Sequence, residues 1–136
     1  MATILAHLKV REGSERAFEE ISRGLYEASH AGEKGLLRYE YWRGSEPRTY
    51  YTLLAFDDFA SFIAHQTSDH HEAASPKLGG VLEGLRLEWV DPVDGASPLP
   101  ATNAQDLSQA ADALTRLYAE RFAAQVAPWW GQLRSR

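Results

Sequence analysis

Three histidines fall close together at His65, His70 and His71, with Asp69 and Glu72 beside them. Imidazoles next to carboxylates support two chemistries, metal ligation and proton transfer near neutral pH. Ligands on one helix face sit three or four residues apart, whereas His65 and His70 are five apart and a break is expected near Thr67-Ser68. Asp69 and Glu72 also have the spacing of a capping box, which gives them a role at a helix start. Histidine-rich surface turns are also common, so no metal is assigned to the cluster, and proton transfer stays open to it. His7 falls in a strand pattern and reads as a packing residue. His30, near a helix C-terminus, complements the helix dipole.

Other chemistries lack their residues. The chain has no cysteine, which excludes disulfides, thiolate nucleophiles, iron–sulfur clusters and cysteine-bound zinc. Gly79-Gly80 and Gly84 lack the lysine and the spacing of a phosphate loop. Ser61, Ser68 and Ser75 lie in no nucleophile elbow, and there is no flavin or nucleotide fingerprint. A net charge of -5, carried by the first ninety-two residues because the remainder balances Arg116, Arg121, Arg134 and Arg136 against Asp94, Asp106, Asp112 and Glu120, argues against a nucleic-acid partner. Apolar runs are short, as in Thr52 to Phe56, so no membrane span or membrane partner is expected. The N-terminal Met1–Ala6 reads as a strand rather than a signal peptide, and a cytoplasmic location is expected.

The elements that must position these residues follow from periodicity. Ile4, Ala6, Leu8 and Val10 alternate along a strand. Ser14 is placed to cap a helix whose apolar stripe is Phe18, Ile21, Leu25 and Ala28. Leu36–Arg43 and Arg48–Phe56 read as strands joined by a Gly44–Pro47 turn. Asp57 is expected to cap a short helix carrying Phe59, Phe62 and Ile63, and Ser68 or Asp69 to cap another. Pro76 and Gly79-Gly80 are expected to limit the latter. Leu85, Leu87 and Trp89 form the last strand.

This order, β-α-β-β-α-β, is an α+β, ferredoxin-like pattern with a four-stranded antiparallel sheet. Neither face of the strands is cleanly polar, since Leu36 and Trp42 alternate with Leu37, Tyr39 and Tyr41. A sheet apolar on both faces needs a second layer, which a homodimer supplies. The domain is set at residues 1–92. A Pro-, Gly- and Ser-rich linker spans 93–104, and a helical extension 105–136, in which Asn103 caps a helix running to about Val126 with a stripe of Leu107, Ala111, Leu114, Tyr118 and Phe122. The extension reads as a structural brace, on its own domain or across to a partner, or as a lid over a pocket.

Several of these segments together resemble the antibiotic biosynthesis monooxygenase family of dimeric α/β barrels. They are Val10-Arg11-Glu12-Gly13 ahead of a helix with Phe18, Gly35-Leu36-Leu37-Arg38-Tyr39-Glu40, and Phe59-Ala60-Ser61-Phe62-Ile63-Ala64-His65 followed by Ser68-Asp69-His70. The last two match the family's "AF-x-x-H … SPH" pattern with Asp69 in place of proline. A tryptophan common at the end of the third strand is Phe56 here, and the residues from Val93 onward lie outside the family core. The Asn, Trp and His of the haem-degrading branch fall on Ala6, Phe62 and Ser75, which sets haem degradation aside.

The resemblance implies a cofactor-independent monooxygenase acting on a small aromatic molecule such as a quinol, anthrone or phenol. Once deprotonated, such a substrate itself supplies electrons to dioxygen, so the protein contributes a base, an apolar pocket and a donor to the developing oxyanion. His70 or His65 is then the base. Arg38, Arg86 or Tyr51 orients the substrate oxygen, and Tyr39, Tyr41, Trp42 and Trp89 form a flat wall. No cofactor is expected. The alternative is a non-catalytic ligand-binding or assembly protein of the same fold.

Overall fold

Alternating apolar residues in β1 (Ala2–Val10) bury Ile4, Ala6, Leu8 and Val10 on one face, and that face nucleates the core. The computed structural model describes residues 1–134. After β1 come α1 (Glu15–Gly32), β2 (Leu36–Arg43), β3 (Thr49–Phe56), α2 (Phe59–Thr67), α3 (Asp69–Val81), β4 (Leu82–Trp89), α4 (Ala113–Arg121) and the short α5 (Trp130–Leu133). The four strands form one antiparallel sheet in the order β2-β3-β1-β4. Helix α1 and the α2–α3 pair cover one face, as the ferredoxin-like pattern requires. Among the described residues no helix is long and apolar enough to cross a membrane.

Pairing registers assign every strand residue to a face. Ile4 lies opposite Leu54 and Trp89, Ala6 opposite Thr52 and Leu87, and Leu54 opposite Tyr39. Tyr39, Tyr41, Thr52, Leu54, Leu87 and Trp89 therefore point to the helices. Arg38, Glu40, Trp42, Tyr51, Leu5, Leu53, His7, Arg86 and Glu88 point the other way. A register shift between Leu36 and Arg38 changes the expected parity at the start of β2. Leu36 pairs with Phe56 on the helix side, and Leu37 is turned out and exposed.

Several local expectations are corrected. Ser14 sits at the start of α1 but makes no side-chain cap. Helix α2 is capped by Asp58, whose Oδ1 accepts from the Ser61 amide at 2.7 Å, while Asp57 accepts from the Ser61 hydroxyl at 2.6 Å. Ser68 caps α3, so no Asp69–Glu72 box forms and the Glu72 carboxylate is left for another partner. Helix α3 runs through Pro76, because the fixed φ of proline is itself helical and the loss is one hydrogen bond, to the Glu72 carbonyl.

The tail departs most from expectation. Its helix is only α4, started by Asp112, whose Oδ1 accepts from the Leu114 amide at 2.9 Å. Upstream, Asp106 accepts from the Ser108 amide in a local turn that competes with helix. The far end of the 93–104 segment is anchored to the sheet. Thr102 is fully buried, its hydroxyl donating to the Val90 carbonyl at 2.6 Å and accepting from the Thr3 amide at 3.3 Å. Arg134 clamps Asp91 at 2.7 and 3.0 Å and the Thr102 carbonyl at 2.6 Å.

Gly35, between α1 and β2, lies so close to α2 that an added Cβ would come 2.1 Å from Ser61 Oγ and 2.5 Å from Ser61 Cβ. Gly35→Ala is expected to destabilise the fold by about 1–3 kcal/mol, as overpacking does. Urea denaturation checks this; an unchanged midpoint contradicts it.

Candidate functional site

Between the helix-side face of the sheet and the α2–α3 pair lies a cavity of about 440 Å³. Its floor is Ile4, Ala6, Leu8, Tyr39, Tyr41, Thr52 and Leu54. Its roof is Phe62, His65, Gln66, His71, Ser75 and Leu78, with Phe122 added from just beyond α4. This size and apolar character suit a small ligand. Tyr118 donates to Glu72 at 2.6 Å and the Phe62 and Phe122 rings stand 6.3 Å apart edge-on, so the tail packs against its own domain and contributes to the cavity wall. A groove of about 580 Å³ lies along α1 and β2, but its main polar groups are already paired, Glu19 with Arg43 at 2.7 Å and with the Tyr50 hydroxyl at 2.7 Å.

Three helix ends meet beside the cavity. Glu33 immediately follows α1, His65 is in the last turn of α2, and His70 is in the first turn of α3. His65 is 1% exposed. Its Nδ1 lies 2.9 and 3.0 Å from the two Glu33 carboxylate oxygens, so it donates its proton there. Glu33 also holds His70 Nε2 at 2.6 Å, with the Ser29 and Ser68 hydroxyls each 3.2 Å from the same nitrogen. Burial pushes the Glu33 carboxyl upward, but hydrogen bonds from His65, Ser29 and His70 outweigh it and hold the group at about 2.

The other edge of the His65 ring is different. Nε2 is buried without a hydrogen-bond partner. In the neutral tautomer with its proton on Nδ1, directed at Glu33, Nε2 is the acceptor on a ring that lines the cavity. Tyr39 meets this ring edge-on at 5.0 Å, with Phe56 at 5.3 Å and His71 at 4.8 Å. The Tyr39 and Tyr41 hydroxyls are 2.5 Å apart. Burial drives Tyr39 well above the ordinary phenol range and Tyr41 to about 12, so both are neutral hydrogen-bonding groups. Burial, aided by the neighbouring His65, lowers His71 to about 4.

The residues expected to share one site divide between two sides of the sheet. His65 and Tyr39 line the cavity. His70 is held on the far side of Glu33, and Trp89 stands behind the wall against Phe62 and Phe59 at 5.4 and 5.9 Å. Arg38, Trp42, Tyr51 and Arg86 are on the opposite face and cannot reach a ligand beside His65. There Arg38 grips Glu40 at 2.7 Å, Arg86 lies 3.5 Å from Glu88, Tyr51 packs on His7, and Trp42 is 57% exposed. The two-residue period of a strand causes this separation, since Arg38 and Trp42 have opposite parity to Tyr39 and Tyr41. Sequence spacing draws attention to His71 without giving it a role, and it does not point to Glu33 or Phe122. For Glu33 a signal existed: a carboxylate at a helix C-terminus is disfavoured by the dipole unless a cation or donor holds it.

The sequence profile of one family, antibiotic biosynthesis monooxygenase, matches residues 1–77, which ends within α3. Comparison with curated proteins gives no match. A solved structure from Caulobacter crescentus, a proposed antibiotic biosynthesis monooxygenase, superposes with a TM-score of 0.64 at 26% identity, over 68% of this chain and 89% of that one. PA3566 from Pseudomonas aeruginosa gives 0.60 at 24%, over 65% and 89%, and Rv0793 from Mycobacterium tuberculosis gives 0.64 at 16%, over 71% and 98%. Below 25% identity these two bear on the fold alone.

His71 and Glu33 give stability a defined pH dependence. An unfolded chain takes up a proton on His71 near its ordinary 6.5, which the folded chain resists down to about 4, so stability present above 6.5 is lost as pH falls through that window. Glu33 adds a further loss as pH falls from 4.5 toward 2. Thermal midpoints measured across this range are expected to fall steadily, and His71→Gln to flatten the part between 6.5 and 4. A profile identical in the variant contradicts the assignment.

Proposed function

Since the chain belongs to the antibiotic biosynthesis monooxygenase family, we propose that it is a cofactor-independent monooxygenase that oxidises a small quinol, anthrone or phenol-like molecule in the cavity beneath α2 and α3. The observation that carries this reading is the buried, unpartnered Nε2 of His65, on a ring whose Nδ1 is fixed by Glu33. That is the arrangement of a general base, with the carboxylate setting the tautomer and stabilising the imidazolium that forms. The three positions at which the haem-degrading branch carries its Asn, Trp and His, namely Ala6, Phe62 and Ser75, all line this same cavity, which supports it as the ligand site.

In the reaction His65 Nε2 removes a proton from the substrate, and the electron pair left behind goes to dioxygen as a new C–O bond forms. His65 returns its proton to the peroxide. A second substrate proton is lost as the O–O bond breaks, giving a carbonyl product and one water. The neutral Tyr39–Tyr41 pair supplies hydrogen-bonding hydroxyls at the floor. His70 holds Glu33 and acts through it rather than on the substrate.

Oxygen uptake against a panel of quinols and anthrones tests this. His65→Ala is expected to lower kcat by at least about a hundredfold, the usual contribution of a general base, with circular dichroism unchanged. Phe122→Ala is expected to raise KM with a smaller effect on kcat, because it enlarges the binding wall. Tight binding of an apolar aromatic with no uptake from any substrate supports the non-catalytic binder instead.

We also infer that a second copy of the chain covers the open face of the sheet. Leu5, Leu53, Tyr51 and Trp42 sit there among the Arg38–Glu40 and Arg86–Glu88 pairs, and a face of this composition is completed by a self-complementary partner. Light scattering is expected to give twice the chain mass, and Trp42→Glu to shift it toward one; a monomeric wild type overturns the inference.

A further inference from the structure

The five-residue spacing of His65 and His70 weighs against metal ligation only within one continuous helix. His65 and His70 instead lie on α2 and α3, on either side of the turn at Ser68, and Glu33 arrives from the end of α1. One ligand atom from each, His65 Nδ1, His70 Nε2 and a Glu33 oxygen, lies within 4.8 Å of the other two. The shortest separations in the group are 2.9 Å for Glu33–His65 and 2.6 Å for Glu33–His70. A tetrahedral ion with bonds of about 2.0–2.2 Å sets its ligands roughly 3.3 Å apart, a spacing the two Glu33 pairs reach by opening about half an ångström. Among the described residues no other three histidines or carboxylates converge in this way.

We propose that Glu33, His65 and His70 form a binding site for a divalent transition-metal ion of the zinc class. Two imidazoles and a carboxylate are the donor set such ions prefer when no thiolate is present, and this chain has no cysteine. Binding displaces the protons through which the two histidines reach the carboxylate. The C-terminal ends of α1 and α2 point at the site and favour a cation, against the single opposing N-terminus of α3. Access is from solvent, because His70 is only partly buried. The ion lies on the Nδ1 side of His65, away from the cavity. Metal on Nδ1 requires the remaining proton to sit on Nε2, so a loaded site turns the base into a donor.

Binding is measured directly and needs no oxygenase activity as its readout. Untagged full-length protein, stripped with a chelator, is titrated with zinc chloride in a calorimeter and in competition with a chromophoric chelator. One ion per chain is expected, with Glu33→Gln and His70→Ala each weakening affinity by at least about tenfold and His30→Ala leaving it unchanged. Cobalt(II) absorption in the visible gives a second reading of the ligand set, and circular dichroism verifies that His70→Ala keeps its fold. The absence of saturable binding, or equal affinity in His70→Ala, overturns the proposal; an active oxygenase that binds no zinc overturns it alone, and a chain that binds zinc but is inert toward quinols in its metal-free form supports it while removing the oxygenase reading.

Discussion

A half-buried carboxylate at the end of a helix is the constraint from which the rest of this domain is organised. Glu33 sits where the α1 dipole repels it and where burial costs it solvation. It is tolerated because His65 and His70 reach it from two other helices, with Ser29 and Ser68 completing the hydrogen bonds to His70. Removing either histidine would leave a poorly paired charge, which is far costlier than never having buried one. The same bonds fix the angle between α1 and the α2–α3 pair, and so the height of the cavity roof. They also orient the His65 ring, so one set of hydrogen bonds sets both the helix packing and a wall of the cavity.

The sheet separates two tasks that share neighbouring residues in sequence. Tyr39 and Tyr41 face the cavity, while Arg38, Glu40 and Trp42 face away. A single-residue slip in β2 would exchange them, placing the Arg38–Glu40 pair among Phe18 and Phe62. The register shift beside Leu37 confines that irregularity to the start of the strand, and the tyrosine pair, packed against Phe18 and His65, holds the rest in place.

Most of the architecture was legible in the chain because it rests on local periodicity. The strand alternation of β1 and the helical stripe of α1 each follow from spacing alone, and together with the hairpin signal at Gly44–Pro47 they fix the fold class. The site was half legible. His65 and Tyr39 were named, but which aromatics share a cavity depends on pairing register, which composition does not encode. Glu33 lies 32 residues from His65 and meets it only through the packing of α1 on α3. The tail misled for a different reason. Its apolar stripe from Leu107 to Phe122 is helical in period, but Asp106, Ser108 and Asp112 offered the backbone local alternatives, and only α4 formed.

The tail's attachment has a consequence for diversification. Phe122 reaches the cavity from a segment that adds no strand to the sheet and is fastened by side-chain contacts, Tyr118 to Glu72, Gln105 to the Ala60 amide and Arg134 to Asp91. Replacing that segment by another of similar length would remodel the pocket's outer wall without disturbing a ladder hydrogen bond or the Glu33–His65 dyad. The arrangement is modular in the manner of an antibody, in which a rigid framework carries a variable recognition loop.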